Sequence, residues 1–157
     1  MSTPKTPAET RVSLGQLMGT DSSNTLGNVH GGHIMKLMDE AGAAAAIRHA
    51  GQKVVTVAVD QMVFHEPIRL GDLVTVSAEL THVGRTSMEA EVSVTAVNLL
   101  TGATTHTNTA YFVYVAIDRD GRPSPVPALT LTTEAEQARW QQAEARRKRR
   151  LAADRPG

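Results

Sequence analysis

The stretch N-T-L-G-N-V-H-G-G-H-I-M-K-L-M-D-E-A-G-A-A-A-A-I-R (Asn24–Arg48) decides how the chain is read. A polar, glycine-paired loop runs into an Ala-rich segment, and the spacing predicts a helix from Val29 or His30 to His49. At 100° per residue, Ile34, Leu37, Met38, Ala41, Ala45 and Arg48 share one stripe, expected to be the buried face. Lys36, Glu40 and His33 gather opposite. Asp39 belongs to neither group. It falls beside Met35, Gly42 and Ala46, a flank of small side chains where another backbone can approach. Glu40 is therefore the solvent carboxylate and Asp39 the candidate functional one. Gly51 supplies a stop.

Outward from this helix, period-2 patterns take over. Val54 to Phe64 is apolar on both faces at its start, which predicts a central strand. Leu73 to His82, Thr86 to Leu99 and Ala103 to Ile117 alternate apolar and polar residues, with short Gly-containing turns between them. That is the signature of an antiparallel meander. Arg11 to Met18 predicts a short first strand. Residues 1–9 are expected to be a flexible arm. Thr133, with Glu136 three residues on, predicts the start of a C-terminal basic helix and tail over 133–157. One domain over 10–132 remains, of α+β class, with a sheet around a central helix.

Composition narrows the function. Sixteen basic residues balance sixteen acidic ones, so no whole-chain field attracts nucleic acid or a membrane surface. The chain holds no cysteine, which removes thiolate metal sites and cysteine nucleophiles and suits a reducing, cytoplasmic setting. No apolar run approaches the ~20 residues of a membrane span, and the polar start M-S-T-P-K-T-P lacks a signal-peptide apolar stretch. G-x-S-x-G, G-x-G-x-x-G and Walker motifs are missing, which argues against serine hydrolases and the usual nucleotide folds.

Several groups offer chemistry, each with a plainer alternative. Asp39 can serve as general base or nucleophile, or simply bond a neighbouring backbone or hydroxyl. Asn24 can orient a water or a carbonyl, or can be a turn residue. At His30-Gly31-Gly32, N–H groups of a helix entry can receive an oxyanion, or the glycines give a flexible entry. His30 and His33 form H-x-x-H without a third ligand at a suitable spacing, so no metal is expected. Gly84-Arg85-Thr86-Ser87 is either a phosphate-holding turn or a polar hairpin. Arg146 to Arg150 reads as a solvated helix end or an anion-binding run, with Trp140 the only tryptophan in the chain.

Three strings carry a family resemblance: G-N-V-H-G-G-H-I-M-K-L-M-D-E-A-G (Gly27–Gly42), V-V-T-V-A-V-D-Q-M-V-F-H-E-P-I (Val54–Ile68) and V-G-R-T-S-M-E (Val83–Glu89), with A-Y-F-V-Y-V-A-I-D (Ala110–Asp118) following. With these the chain resembles the hotdog-fold acyl-CoA thioesterases of the cytosolic long-chain (brain) acyl-CoA hydrolase family. The resemblance implies a hotdog fold and hydrolysis of fatty acyl-CoA to free acid and coenzyme A, without a cofactor. It implies that Asp39 is catalytic, paired with Asn24 of a partner subunit in a dimer-based homo-oligomer, a trimer of dimers included. His30, Gly31 and Gly32 would form the oxyanion entry, and Arg85, Thr86 and Ser87 would contact coenzyme A. A non-catalytic acyl-CoA sensor on the same fold, a hotdog hydratase and a nucleic-acid-associated protein are the alternatives.

Overall fold

The computed structural model describes residues 2–154. Five strands form one antiparallel sheet in the order β1-β3-β4-β5-β2. They are β1 (Val12–Leu17), β2 (Lys53–Asp60), β3 (Asp72–Val83), β4 (Ser87–Asn98) and β5 (Thr104–Ile117). A one-turn helix, α1 (Pro7–Thr10), precedes the sheet. The long helix α2 (Gly31–Ala50) lies on one face and α3 (Glu134–Ala153) on the other. This is a sheet around a central helix with a C-terminal helix added, as the resemblance implies.

Alternation dictates which side chains meet α2. On β3, Val74, Val76, Ala78 and Leu80 are buried, and on β4 Met88, Ala90, Val92, Val94 and Ala96. They pack against Ile34, Leu37, Met38, Ala41 and Ala45 of α2 in one continuous core. Alanines on both surfaces let helix and sheet approach closely, so the core is built with few aromatics. Gly51 ends α2 in the left-handed conformation (φ 65°), where a glycine meets no Cβ penalty.

The opposite face of the sheet is polar, and α3 is held to it largely by ion pairs. Arg139 meets Glu79 (2.7 Å), Arg146 grips Glu89 with two bonds (2.7 and 3.1 Å) and lies over the Tyr111 ring, and Arg150 reaches Asp60 (3.1 Å). Trp140 stacks on His82. Thr133 caps α3 in a reciprocal box with Glu136, as the sequence predicts.

Three expectations are corrected. The segment read as a loose arm carries α1, closed by a capping box between Thr6 and Glu9, and Lys5 pairs with Leu129. Local side chain-to-backbone bonds give order there without a hydrophobic pattern. The strand read as central ends at Asp60 and is an edge: β2 pairs only with β5. Its apolar outer face stands open to solvent instead of facing a second strand. Gln61, at φ 30°, breaks it before Phe64. Finally, Arg48 is exposed and bonds the Arg11 carbonyl, while His49 takes the buried end of the α2 stripe. On the ideal wheel His49 falls between Met38 and Gly42, both buried, so the buried face is centred to that side of Ile34.

Candidate active site

Asp39 sits half-buried on the flank of α2 that faces β2 and β5. Its Oδ1 accepts hydrogen bonds from Thr56 Oγ1 on β2 (2.8 Å) and from the Tyr114 hydroxyl on β5 (3.1 Å). Tyr114 also bonds the Asp39 carbonyl at 3.0 Å. Oδ2 accepts no hydrogen bond among the described residues and is not fully buried. One carboxylate oxygen is thus fixed by two hydroxyls and the other is available.

Burial, followed by the Asp39 charge and the hydrogen bond to it, pushes the Tyr114 phenol well above its ordinary range. It stays protonated and donates. Gly42 makes the arrangement feasible: a Cβ there would lie 2.3 Å from the Tyr114 hydroxyl. The small-residue flank read from the sequence is therefore the surface on which Tyr114 lands. Thr56 and Tyr114 were not singled out by sequence reasoning. The available signals were a lone hydroxyl in the Val-rich run of β2 and a tyrosine on the inward phase of β5.

Asn24 folds back on its own loop. Its Oδ1 accepts from the N–H groups of Leu26 (2.9 Å) and Asn28 (3.1 Å), an Asx-type turn. Its amide nitrogen donates to no group among the described residues. Asn24 and Gly31 border a cavity of about 230 Å³, with Val29, Ile34, Phe64 and Ile68 among its walls. Asp39 does not line that cavity.

At the helix entry the three expected residues divide. His30 is the N-cap, its Nδ1 accepting from Gly32 N–H (2.9 Å). That occupies the Gly32 donor. The Gly31 N–H has no partner among the described residues and is the donor left over at the positive end of the helix. His33 turns to Gln16, so the two histidines do not converge.

The Gly84–Ser87 turn also divides. Thr86 and Ser87 border a cavity of about 310 Å³ together with Val57, Val115, Arg147 and Arg150. Arg85 is exposed and does not line it; its carbonyl receives Val126 N–H. Within the basic run, Arg146 and Arg150 are consumed by Glu89 and Asp60, which leaves Arg147, Lys148 and Arg149 outside those pairs. A larger cavity, of about 590 Å³, lies against Gly51, Lys53 and Asp118 and contains none of the expected site residues. No helix among the described residues is long and apolar enough to cross a membrane.

Comparison with known proteins gives the family. The Thioesterase superfamily model matches residues 26–103. A crystal structure of an apo-hexameric acyl-CoA thioesterase superposes with TM-score 0.89 and 35% identity, covering 97% of this chain and 99% of that one. The chain belongs to the thioesterase superfamily. Its hotdog fold is shared with these thioesterases. The chain is also similar to the cytosolic acyl coenzyme A thioester hydrolase of Mus musculus, 37% identical over 145 residues. That match covers 91% of this chain but 38% of the mouse protein, so the chain spans about two-fifths of its length. The acyl-CoA hydrolase of Staphylococcus aureus, solved with butyryl coenzyme A and coenzyme A, aligns at TM-score 0.86 and 28% identity over 96% of this chain and 92% of that one. Further structures of the same enzyme carry an alanine in place of an asparagine, an aspartate or a threonine.

Proposed function

We propose that this thioesterase-superfamily chain hydrolyses fatty acyl-CoA to the free acid and coenzyme A. The observation that carries the reading is the Asp39 carboxylate, with Oδ1 held by Thr56 and Tyr114 and Oδ2 unoccupied. Supporting it, the asparagine, aspartate and threonine replaced in the S. aureus hydrolase are spaced fifteen and seventeen residues apart. Asn24, Asp39 and Thr56 have the same spacing.

In the reaction, Asp39 Oδ2 takes a proton from water and the resulting hydroxide attacks the thioester carbonyl carbon. The oxyanion is received by the Gly31 N–H at the helix entry. The C–S bond then breaks, and the proton passes to the departing thiolate. Alternatively, Oδ2 attacks the carbonyl directly, and water hydrolyses the resulting anhydride. The amide N–H groups of Asn24 supply donors from the same subunit as that Gly31, the partner of the one that supplies Asp39, because their own loop uses only the amide oxygen. Thr86 and Ser87 contact coenzyme A, with Arg85 at the rim.

A second copy of the chain completes the site. The outer edge of β2 is unpaired, and Val55, Val57 and Val59 are exposed along it. An apolar edge of this kind is stable when paired with another strand, and a two-fold pairing would face Asp39 of one subunit with Asn24 of the other. The hexameric relatives are consistent with further assembly into a trimer of dimers. The cytosolic mouse relative suits a cytoplasmic setting.

Thiol release from acyl-CoA esters tests the reading. Asp39→Ala is expected to lose on the order of a hundredfold or more in kcat, with coenzyme A binding retained. Full turnover by Asp39→Ala would exclude Asp39 as base and nucleophile alike.

A further inference from the structure

The cavity at the helix entry has a wall that the catalytic reading does not use. Its rim carries Asn24 and Gly31, the groups assigned above to the thioester carbonyl. Most of its remaining lining is apolar: Val29, Ile34, Phe64, Pro67 and Ile68. Inward it stops at Ile34, which is fully packed against the core beside Met38. Outward, the Phe64 ring lies 3.7 Å from the point where a Gly31 Cβ would stand, so it rests on the first turn of α2. Phe64 is nonetheless 42% exposed, so one ring face meets the helix entry while other parts remain free.

The backbone around Phe64 is unevenly anchored. His65 N–H donates to the Thr107 carbonyl (3.3 Å), and the Ile68 carbonyl accepts from Val29 N–H (2.8 Å). Gln61 to Phe64 have no such tie, and Gln61 holds a left-handed conformation that favours glycine. The ring therefore stands between an anchored floor and a segment without backbone ties among the described residues.

We infer that Phe64 is the residue that sets acyl-chain length, closing the outer end of the pocket that receives the chain. The inference rests on the hydrolase reading above. The cavity, of about 230 Å³, is small enough for a short acyl chain to fill it with Phe64 in place. Longer chains must displace the ring.

The test is kcat/KM for acyl-CoA esters from two to sixteen carbons, with wild type, Phe64→Ala and Val63→Ala. Val63 belongs to the same loop but does not line the cavity. Phe64→Ala is expected to raise the ratio of twelve-carbon to six-carbon kcat/KM by at least on the order of tenfold, the discrimination that a single further methylene accommodated in an apolar pocket carries. Val63→Ala is expected to keep the wild-type profile. An unchanged profile in an active Phe64→Ala enzyme overturns the inference, as does an equal shift in both variants, which would mean general loosening of the loop. Absence of thiol release by wild type on every ester overturns the hydrolase reading, and this inference with it.

Discussion

At the residue scale, the account turns on one carboxylate with unequal oxygens. Thr56→Ala removes a hydroxyl from Asp39 Oδ1 and leaves the second donor in place. A hydrogen bond to a charged group contributes about 1.5–3 kcal/mol, so kcat should fall on the order of tenfold to a hundredfold. KM should change little, because Thr56 does not touch substrate in this scheme. Thr56→Ser, which restores the hydroxyl, should recover most of the rate. A kcat unaffected by Thr56→Ala would separate this bond from catalysis. Gly42→Ala probes the same geometry from the other side. The new Cβ would meet the Tyr114 hydroxyl at 2.3 Å, and overpacking of that kind costs about 1–3 kcal/mol. Urea unfolding and kcat should both suffer. The distinction between Asp39 and Glu40 was legible in the sequence, because helical angle alone separates the two. Their hydroxyl partners were not, since alternation tells which face a strand residue takes and not which helix position it meets.

At the element scale, α3 is attached by charge more than by apolar burial. Glu89 is only 2% exposed, yet it binds Arg146 through both oxygens and accepts from Thr81 at 2.6 Å. Replacing it with Gln would strand Arg146 against the sheet. The expected cost is about 3 kcal/mol or more, read by chemical denaturation. Val54–Phe64 shows the limit of pattern reading for elements: its apolar character is real, but it reflects an open edge rather than a central position. The basic run is similar, since Arg146 and Arg150 face carboxylates on strands distant in sequence. A second helix has a pH-dependent anchor. His49 at the end of α2 is fully buried, and its Nε2–H donates to the Pro127 carbonyl (2.8 Å). Its Nδ1 has no partner among the described residues. Burial lowers the His49 pKa from 6.5, Lys5 acts in the same direction, and the Pro127 carbonyl opposes them. The unfolded chain thus takes up this proton more readily than the folded one. The contribution to stability is complete above about pH 6.5 and is lost as pH falls from there towards the folded-state value. Urea midpoints at pH 8 and pH 5.5 should differ more for wild type than for His49→Gln. Equal differences would place the pH dependence elsewhere.

At the scale of the whole molecule, the separation of Asn24 from Asp39 within one subunit is the decisive feature. The sequence carried both residues, the helix and the meander, and its resemblance implied a partner. It could not show that Asn24 commits its amide oxygen to its own loop and leaves its donors without a partner among the described residues, because that depends on the backbone of residues 24–28. An exposed edge at β2 offers the route by which a second copy brings the two residues together. Val57, 53% exposed at the bulge in that strand, is the position to charge: Val57→Lys should weaken the assembly and lower activity together, seen by sedimentation and thiol release. The most direct measurement co-expresses two inactive variants, Asp39→Ala and Asn24→Ala, and assays thiol release from the mixed oligomers. With sites shared across a two-fold, random pairing should restore about a quarter of the wild-type rate, since half of the dimers would carry one intact site of two. Mixed oligomers as inactive as either parent would contradict the shared site.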